Sequence, residues 1–254
     1  MRSDGTGERP RGDLLVCHLG LVPYEEALEL QHATREARIR GDLDDVLLLL
    51  EHPPVVTRGR RSDPSELGLG EDFLRAQGVD VVTTQRGGLA TYHGPGMLVG
   101  YPIVAAADVH VYLRTLERAV IAALQEEGVD AHQRESTPEE NLTGVWVGGT
   151  RKIASLGVHM SRGVAAHGFA IGADNDLTPW SWFTPCGLPT AQMTSVGAET
   201  GRSGTLPCLR KRAANHVARE LGLRQRLISR DRLERTVGLS GPVASGRPTV
   251  APAQ

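Results

Sequence analysis

Apolar side chains recur at helical spacing in three segments of the chain. In the first segment, Tyr24 to Arg40, the residues Leu30, Ala33 and Ala37 share one face, and Gly41 suits a C-terminal cap. The other two segments and their apolar stripes are 108–127 with Leu113, Leu116, Val120 and Ala123, and 206–221 with Leu206, Leu209, Ala213 and Val217. The pattern therefore predicts three amphipathic helices, and Asp108 can cap the second one.

Short apolar runs bounded by glycine, proline or polar residues predict strands. The predicted strands are 14–19, 46–50, 55–57, 78–84, 89–92, 144–147, 152–160 and 164–171. Short turns join the last three, which indicates an antiparallel meander. Segments 130–140 and 174–189 lack either period and are predicted to be loops. Helices and strands in mixed order predict an α+β fold with a mixed or mostly antiparallel sheet and flanking helices.

The composition of the chain ends predicts where the folded part begins and stops. Residues 1–12 are polar and glycine-rich, and residues 238–254 are rich in Gly, Pro, Ser and Ala. Such segments bury too little apolar surface to fold, so both are predicted to be disordered tails. The remaining residues, 13–237, are expected to form a single folded domain.

The overall charge and hydrophobicity exclude several classes of protein. A hydrophobic content of 40% and a net charge of −2 describe an ordinary globular chain. We expect no nucleic-acid partner, because there is no basic excess. We also expect no membrane association, because no apolar run reaches the length of a membrane span. The first 13 residues lack the apolar core of a signal peptide, which favours a cytoplasmic location.

Three cysteines, Cys17, Cys186 and Cys208, are too few and too widely spaced for a disulfide framework or a structural zinc site. Nine histidines occur without an HExxH motif or an i, i+4 pair. We therefore expect no metal and no cofactor.

The segment from Arg86 to Ile103 carries five glycines and two prolines in eighteen residues, which excludes a helix. Glycines let backbone N–H groups approach a ligand closely. The segment is either a backbone-lined pocket decorated by Arg86, Tyr92 and His93, or a tight hairpin without a ligand.

Lysine is rare in this chain. Of 28 basic residues only Lys152 and Lys211 are lysines, and the rest are arginines. Because lysine can lose its proton in a protein whereas arginine cannot, a lysine kept against this bias is a candidate for chemistry. Lys211 lies in a polar helical stretch between arginines, so Lys152 is the better candidate.

Cys186 lies between Pro185 and Gly187 in a predicted loop, where the thiol is fixed and exposed. The backbone N–H groups of Cys186 and Gly187 are candidates for stabilising an oxyanion. From the residues alone, Cys186 is either a nucleophile or a structural thiol.

Arg58, Arg60 and Arg61 form a basic cluster at the end of a predicted strand. The cluster is either a solvated loop or a docking patch for an acidic partner.

Four segments occur in an order and spacing that together resemble the lipoyl(octanoyl)-protein transferase family, over roughly residues 14–225. They are Arg86-Gly87-Gly88-x-x-Thr91-Tyr92-His93-Gly94-Pro95-Gly96, Gly144–Val147 with Arg151–Gly157, His167–Ala170, and Pro185-Cys186-Gly187. Met97 departs from the glutamine that is common in this family, and Gly163 replaces a bulkier residue.

The resemblance implies a biotin/lipoate-protein ligase-like catalytic domain. It implies that Cys186 carries an acyl thioester, and that Lys152 lowers the pKa of the thiol and assists proton transfer. It also implies three groups of residues around the acyl chain and thioester. They are Arg86, Gly87, Gly88, Leu89, Ala90, Thr91, Tyr92 and His93; Ser155, Leu156 and Gly157; and Gly168, Phe169 and Ala170.

The activity implied is the first step of protein lipoylation. An octanoyl (or lipoyl) group passes from acyl carrier protein to a lysine of the lipoyl domains of 2-oxoacid dehydrogenases, or of the glycine cleavage H protein. Three alternatives stay open: an ATP-dependent lipoate or biotin ligase of the same fold, a non-catalytic protein that binds acyl carriers or lipoyl domains, and a hydrolase that pairs a cysteine with His93 or His167.

Overall fold

The computed structural model describes residues 11–137, 140–188 and 190–239. In these residues the helices are α1 (Tyr24–Arg40), α2 (Glu71–Ala76), α3 (Val109–Gln125), α4 (Val196–Thr200), α5 (Leu206–Glu220) and α6 (Arg230–Val237). The strands are β1 (Asp13–Leu21), β2 (Asp45–Glu51), β3 (Val55–Arg58), β4 (Asp80–Thr83), β5 (Thr91–His93), β6 (Met97–Ile103), β7 (Ala131–Gln133), β8 (Gly144–Val147), β9 (Arg151–Ser161), β10 (Val164–Gly172), β11 (Gln192–Met193) and β12 (Arg224–Leu227).

Nine of the described strands form one mixed sheet, in the order β12-β1-β2-β6-β10-β9-β8-β7, with β11 beside β9. The β12–β1 and β1–β2 pairs are parallel, whereas the pairs from β2 onward along this order are antiparallel. A smaller sheet has the order β4-β3-β5. The predicted α+β fold with a mixed sheet is confirmed, and so is the meander of β8, β9 and β10.

Strand β2 is buried on both faces, and this explains its unbroken apolar sequence. Leu47 and Leu49 pack into the layer that includes α3 and α5, whereas Val46, Leu48 and Leu50 pack into the layer that includes α1 and α6. A strand covered on both sides has no solvent face, so it shows no polar alternation. Helices on both faces of the large sheet thus enclose two apolar layers.

The three predicted helices are confirmed, with differences in their details. Helix α1 has the predicted bounds, and Gly41 caps it with a φ of 82°. Its buried face is rotated from the predicted stripe: Ala33 is half-buried, whereas Gln31 is fully buried, since its Oε1 accepts the His167 N–H at 2.9 Å. Asp108 caps α3 as predicted.

The predicted strand over 89–92 is wrong at its start, because β5 begins at Thr91. The Ala90 N–H donates to a Glu66 carboxylate oxygen, and the Ala90 carbonyl accepts the Cys186 N–H, so neither group joins a sheet ladder. The strand predicted over 78–84 is similarly shortened to β4. Val79 lies before β4, and its N–H donates to the Leu74 carbonyl at the end of α2.

Several elements escaped the sequence patterns. Strand β6 runs through the glycine-rich segment, and segment 130–140, predicted to be a loop, contains β7; its residues 138–139 lie outside the described part. Of the two tails predicted to be disordered, residues 1–10 and 240–254 lie outside the described residues as well. At the inner edges of the tails, the N–H groups of Arg11 and Leu239 donate to the Gly222 and Glu234 carbonyls. No helix within the described ranges is long and apolar enough to cross a membrane.

Candidate active site

The glycine-rich segment, β9 and β10 surround one cavity of about 650 Å³, a volume that includes the open solvent at its mouth. Most of the predicted site residues line it: Arg86, Gly88, Leu89, Thr91, His93, Lys152, Ser155, Leu156, Gly157, Gly168, Phe169, Ala170 and Cys186. Tyr24, Tyr101, Asn141 and Thr143, which were not predicted for the site, also line it, together with His167 of the hydrolase alternative and Arg61 of the proposed docking patch. The structure therefore brings residues far apart in sequence to one pocket.

Cys186 lies in a short 3-10 turn, Pro185–Gly187, at the mouth of the cavity, and its side chain is half-buried. Its backbone has a φ of 56°, in the left-handed region that non-glycine residues rarely adopt. Gly187 follows with a φ of 66°, which is typical of glycine. Strain of this kind persists where the surroundings fix it, and it concentrates at functional sites.

The predicted oxyanion role of the Cys186 N–H is wrong for this geometry. That N–H already donates to the Ala90 carbonyl at 2.8 Å, and the Gly187 N–H points to the Thr184 carbonyl at 3.4 Å. Both groups hold the turn against the neighbouring backbone. They fix the position of the thiol and are not free to receive a reacting oxygen.

Lys152 reaches the same cavity from β9, and its side chain is 2% exposed. The pairing of β8 with β9 shifts register beside Lys152, and bulges of this kind redirect side chains near functional sites. The Lys152 Nζ lies 5.4 Å from the centre of the Trp146 ring, so the ring face supports the ammonium. The indole Nε1 of Trp146 donates to the Leu142 carbonyl at 2.9 Å.

The thiol of Cys186 is electrostatically prepared to ionise. Burial pushes its pKa upward, but the Lys152 ammonium, a contact with Ser155 and the Arg86 charge outweigh burial. The pKa of Cys186 therefore lies below its ordinary value. The Ser155 Oγ lies 3.7 Å from the Cys186 Sγ. Only the thiolate is a nucleophile, so this environment favours reaction.

Arg86 is buried, with 8% of its surface exposed. Its Nε donates to the Thr57 Oγ1 at 3.1 Å, its Nη2 donates to the Thr57 carbonyl at 2.6 Å, and its Nη1 donates to the Gly87 carbonyl at 3.0 Å. Within the described residues it makes no ion pair with a carboxylate. A buried cation supported only by neutral acceptors is unusual.

Histidines and tyrosines form a buried polar cluster beside the cavity. His52 bonds through its ring nitrogens to the Val22 carbonyl and to the Tyr101 hydroxyl, each at 2.7 Å. Burial lowers the pKa of His52 to about 4, lowers that of His167 to about 3, and holds that of His93 well below its ordinary value. These rings are therefore neutral near pH 7. No hydrogen bond among the described residues joins a histidine to Cys186, which gives no support to the cysteine–histidine hydrolase.

Glu117 of α3 is a site residue that the sequence patterns did not reveal. Its carboxylate is fully buried, and it accepts the Gly144 N–H at 2.8 Å and the Arg114 Nη1 at 2.8 Å. Gly144 lies against the lysine stem: a Cβ added there would lie 2.5 Å from the Lys152 Cε. Glu117 thus fixes the backbone that confines Lys152. In the sequence of α3, Glu117 looks like any other polar position, because the Gly144 N–H that it accepts is 27 residues away.

Three predicted site residues do not line the cavity. The Gly87 N–H donates to the Val158 carbonyl at 3.0 Å, so Gly87 connects the loop to β9. Ala90 holds the turn of Cys186. The ring of Tyr92 packs against Trp180, with ring centres 5.5 Å apart, because alternate residues of β5 face opposite sides.

A wider groove begins where the cavity ends. It shares Arg61, Leu89, Asn141, Thr143 and Cys186 with the cavity, and it continues along α3 past His110 and Arg114. Cys186 therefore lies between a narrow inner pocket and an open outer surface. In the described part of the chain, no group of three or more His, Cys, Asp or Glu side chains forms a metal-binding cluster.

Comparison with known proteins agrees with this architecture. Residues 23–218 match the family model of the lipoyl protein ligase A/B catalytic domain. The chain also superposes on the bipartite lipoate protein ligase of Thermoplasma acidophilum, with a TM-score of 0.70 at 20% identity, covering 89% of this chain and 91% of that one. The structural likeness shows the fold: a ligase-like catalytic domain, as predicted.

Relatives found by sequence share a higher identity with this chain than the structural relative does. The chain is 48% identical to the octanoyltransferase of Rubrobacter xylanophilus over 187 residues, covering 72% of this chain and 82% of that protein. It is 37% identical to the octanoyltransferase of Caldicellulosiruptor saccharolyticus over 229 residues, covering 88% and 95%. The chain therefore belongs to the lipoyl protein ligase A/B family, among its octanoyltransferases.

Proposed function

We propose that this protein transfers an octanoyl (or lipoyl) group from acyl carrier protein to a lysine of a lipoyl domain, through a thioester on Cys186. One observation carries the proposal: a thiol whose pKa is lowered and a buried lysine line the same cavity. The relatives named octanoyltransferases support the identity of the acyl group.

In the first half-reaction, the Cys186 thiolate attacks the carbonyl carbon of the donor thioester. A new C–S bond forms to Cys186, and the C–S bond to the carrier breaks. The carrier thiolate leaves and takes up a proton, for which the Lys152 ammonium is the donor at hand. One thioester replaces another, so the step is nearly neutral in free energy and needs no ATP.

In the second half-reaction, the amine of the acceptor lysine attacks the thioester carbonyl. A C–N bond forms, the bond to Cys186 breaks, and the amine must lose a proton. Lys152 in its neutral form is the base, because no carboxylate of the described residues lines the cavity and burial makes the lining histidines, His93 and His167, weak bases. Proposed acceptors are the lipoyl domains of 2-oxoacid dehydrogenases and the glycine cleavage H protein.

The inner cavity suits an unbranched chain. Leu89, Leu156, Phe169 and Ala170 contribute apolar surface to its wall, and Phe169 is 2% exposed. Burial of each methylene contributes roughly 0.8 kcal/mol, so an eight-carbon chain gains substantially by entering. We place the acyl chain here and the carrier in the outer groove.

Arg60 and Arg61 are the exposed members of the basic patch predicted from the sequence, and Arg61 lies at both cavity and groove. Arg58 is half-buried at the end of β3 and is less accessible. We propose that Arg60 and Arg61 meet an acidic carrier protein. Charge reversal at both should raise KM for the carrier, whereas unchanged kinetics would exclude this docking role.

The family match extends over residues 23–218, and we propose that residues 13–237 act as a single catalytic domain. Strand β1 and helix α6 belong to this unit by packing in the same apolar layer as β2, through residues such as Cys17 and Leu233.

The test is intact-mass analysis after mixing the protein with octanoyl-carrier protein in the absence of ATP. The wild type should gain one octanoyl group and Cys186→Ser none. Cys208→Ser is the matched control, because Cys208 is an exposed thiol that would react if acylation were unselective. No adduct on the wild type, with acylation appearing only when ATP and free fatty acid are added, would favour the ligase alternative.

A further inference from the structure

Among the described residues, the Arg86 guanidinium forms no ion pair, and Glu66 acts on it only through its charge from beyond ion-pair distance. The hydrogen bonds that the guanidinium makes there go to Thr57 and to the Gly87 carbonyl, all neutral acceptors. Removing a charge from water without pairing it is costly, so such a group is seldom kept for stability alone. Arg86 lines the same cavity as Cys186 and Lys152.

The other groups around the cavity do not neutralise this cation. Burial raises the pKa of Tyr24 and Tyr101, so both phenols keep their protons. His93 and His167 are neutral near pH 7 because burial lowers the pKa of each. The only anion that the lining residues can supply is the Cys186 thiolate.

Two carboxylates near the site, Glu66 and Glu117, lie outside the cavity lining and have partners of their own. Glu66 accepts hydrogen bonds from the Ala90 N–H at 3.0 Å and from the Ser62 hydroxyl at 2.6 Å. Glu117, on the side of Lys152, is paired with Arg114. Among the residues that line the cavity, the Cys186 thiolate is therefore the one anion available to two buried cations, Arg86 and Lys152.

We propose that Arg86 is a positioning residue that switches Lys152 between ammonium and amine as Cys186 is acylated; the proposal rests on the proposed function. In the free enzyme, the thiolate stabilises both cations, because Lys152 and Arg86 each interact favourably with the ionised Cys186. Acylation converts the thiolate into a neutral thioester, which leaves Arg86 and Lys152 as two buried cations on the wall of one cavity without that anion. The Lys152 ammonium is then disfavoured and releases its proton.

This switch supplies the base that the second half-reaction needs. Lys152, now an amine, takes a proton from the acceptor lysine as the C–N bond forms and the C–S bond breaks. The thiolate that leaves returns between two cations, and the starting charge state is restored. One lysine can serve as ammonium first and as amine second because the charge of its surroundings changes.

The electrostatics of the free site agree with this role. Burial opposes ionisation of Cys186, and the charges of Lys152 and Arg86 both lower the pKa of the thiol. The alternative is that Arg86 acts only as a brace between its loop and β3 through Thr57. A brace would change stability and rate, but it would not shift a pH profile.

The test uses a Cys17→Ala, Cys208→Ser parent, in which Cys186 is the remaining thiol. Thiolate formation is followed by absorbance at 240 nm against pH in the parent, Arg86→Met and Arg86→Lys. We expect the midpoint in Arg86→Met to move upward by about one pH unit, as removal of a nearby charge predicts. Arg86→Lys, which keeps the charge, should stay near the parent.

The same variants are then octanoylated and isolated, and transfer to an unmodified lipoyl domain is measured against pH. Without the second cation, the Lys152 ammonium holds its proton more tightly. The rising limb of the profile of transfer rate against pH should therefore move to higher pH by about one unit in Arg86→Met. Thr57→Val is the matched control for the brace, since it removes the hydroxyl acceptor and keeps the charge. It should lower stability and leave both midpoints unchanged.

Coincident midpoints in the parent and a folded Arg86→Met protein would overturn the proposal. If Arg86→Met does not fold, Arg86→Gln, which can still donate to Thr57, takes its place. A midpoint in Arg86→Lys that moves as far as the one in the uncharged variant would equally contradict it. A parent that forms no octanoyl adduct counts against the proposed function, whereas unshifted midpoints in an active parent count against Arg86 alone.

Discussion

Cys17 and Cys186 both lie within the protein, yet the pKa of the Cys17 thiol is raised and the pKa of the Cys186 thiol is lowered. Cys17 lies in β1 with no exposed surface, and burial raises its pKa to about 11. At Cys186, burial acts in the same sense, but Lys152, Ser155 and Arg86 outweigh it and lower the pKa. A low dielectric suppresses a charge that stands alone and strengthens a charge that has a partner.

The backbone separates the two thiols as clearly as the electrostatics do. Cys17 lies within a strand whose ladder to β2 holds it in an apolar layer. Cys186 stands in a left-handed turn at the meeting point of cavity and groove. A regular strand hides its thiol, whereas the strained turn presents one to a substrate.

The largest loss of activity should come from removing the cation beside Cys186, because its thiol would then be buried without a charged partner, like the thiol of Cys17. Lys152→Met removes the nearby cation and keeps the length of the stem, so both thiolate stabilisation and the base are lost. We expect octanoyl transfer to fall by about 10³-fold. Single-turnover rates would measure this, and Lys211→Met is the matched control, because Lys211 is exposed on α5. A Lys152→Met enzyme with near-normal transfer would remove the lysine from the chemistry.

Alkylation against pH should sharpen the contrast between the thiols. Because the pKa of Cys186 is lowered, its thiolate fraction, and with it the iodoacetamide rate, should reach half-maximum at a lower pH than that of an unperturbed thiol. Cys17, with its pKa raised, should react about 10²-fold more slowly at pH 7 in the folded protein. Peptide mapping by mass spectrometry gives both rates. Equal rates at the two positions would contradict this contrast.

A smaller loss is expected when the support of Lys152 is weakened. Glu117→Ala removes the acceptor that holds Gly144, so Lys152 should lose its confinement and kcat should fall by about tenfold. Glu117→Gln keeps an acceptor oxygen and should recover most of the rate. Glu127→Gln is the control: this buried carboxylate follows the same helix and pairs with Arg202 instead. If Glu117→Ala and Glu127→Gln lowered kcat equally, the effect would be one of general stability.

The smallest effect on activity should come from Cys17 itself. Cys17→Ala removes a buried sulfur from a packed layer and should lower stability by about 1–2 kcal/mol. Octanoyl transfer per folded molecule should change less than about twofold, because the thiol takes no part in the chemistry. Denaturant unfolding and transfer assays on the same samples separate the two. A large loss of activity at full folding would place Cys17 in the mechanism.

The fold was predictable where local periodicity and burial agree. Helix α1 has the predicted bounds, and the apolar run of β2 is a strand covered on both faces. Strand β6 was hidden because Gly100 and Pro102 disfavour a strand, and its pairing with β2 and β10 overrides that preference. Strand β12 has an exposed, polar sequence, and its parallel pairing with β1 is a long-range contact without a local pattern.

At the site, the sequence indicates the residues that carry chemical groups but not those that hold them. Cys186 and Lys152 stood out through their neighbours and their rarity, and the structure places both at one cavity. Glu117 looked like an ordinary helix residue, because its role depends on a hydrogen bond to a distant backbone N–H. The supposed oxyanion N–H of Cys186 could be judged only once its partner, the Ala90 carbonyl, was in place.

The most direct test of the account is to isolate the octanoylated wild-type enzyme, free of donor, and to mix it with an unmodified lipoyl domain without ATP. Intact-mass analysis over time should show the octanoyl group leaving the enzyme and appearing on the lipoyl domain, at a rate at least as fast as overall turnover. That result would establish the Cys186 thioester as an intermediate of transfer. An acyl group that stays on the enzyme, or leaves only by hydrolysis, would contradict the central claim.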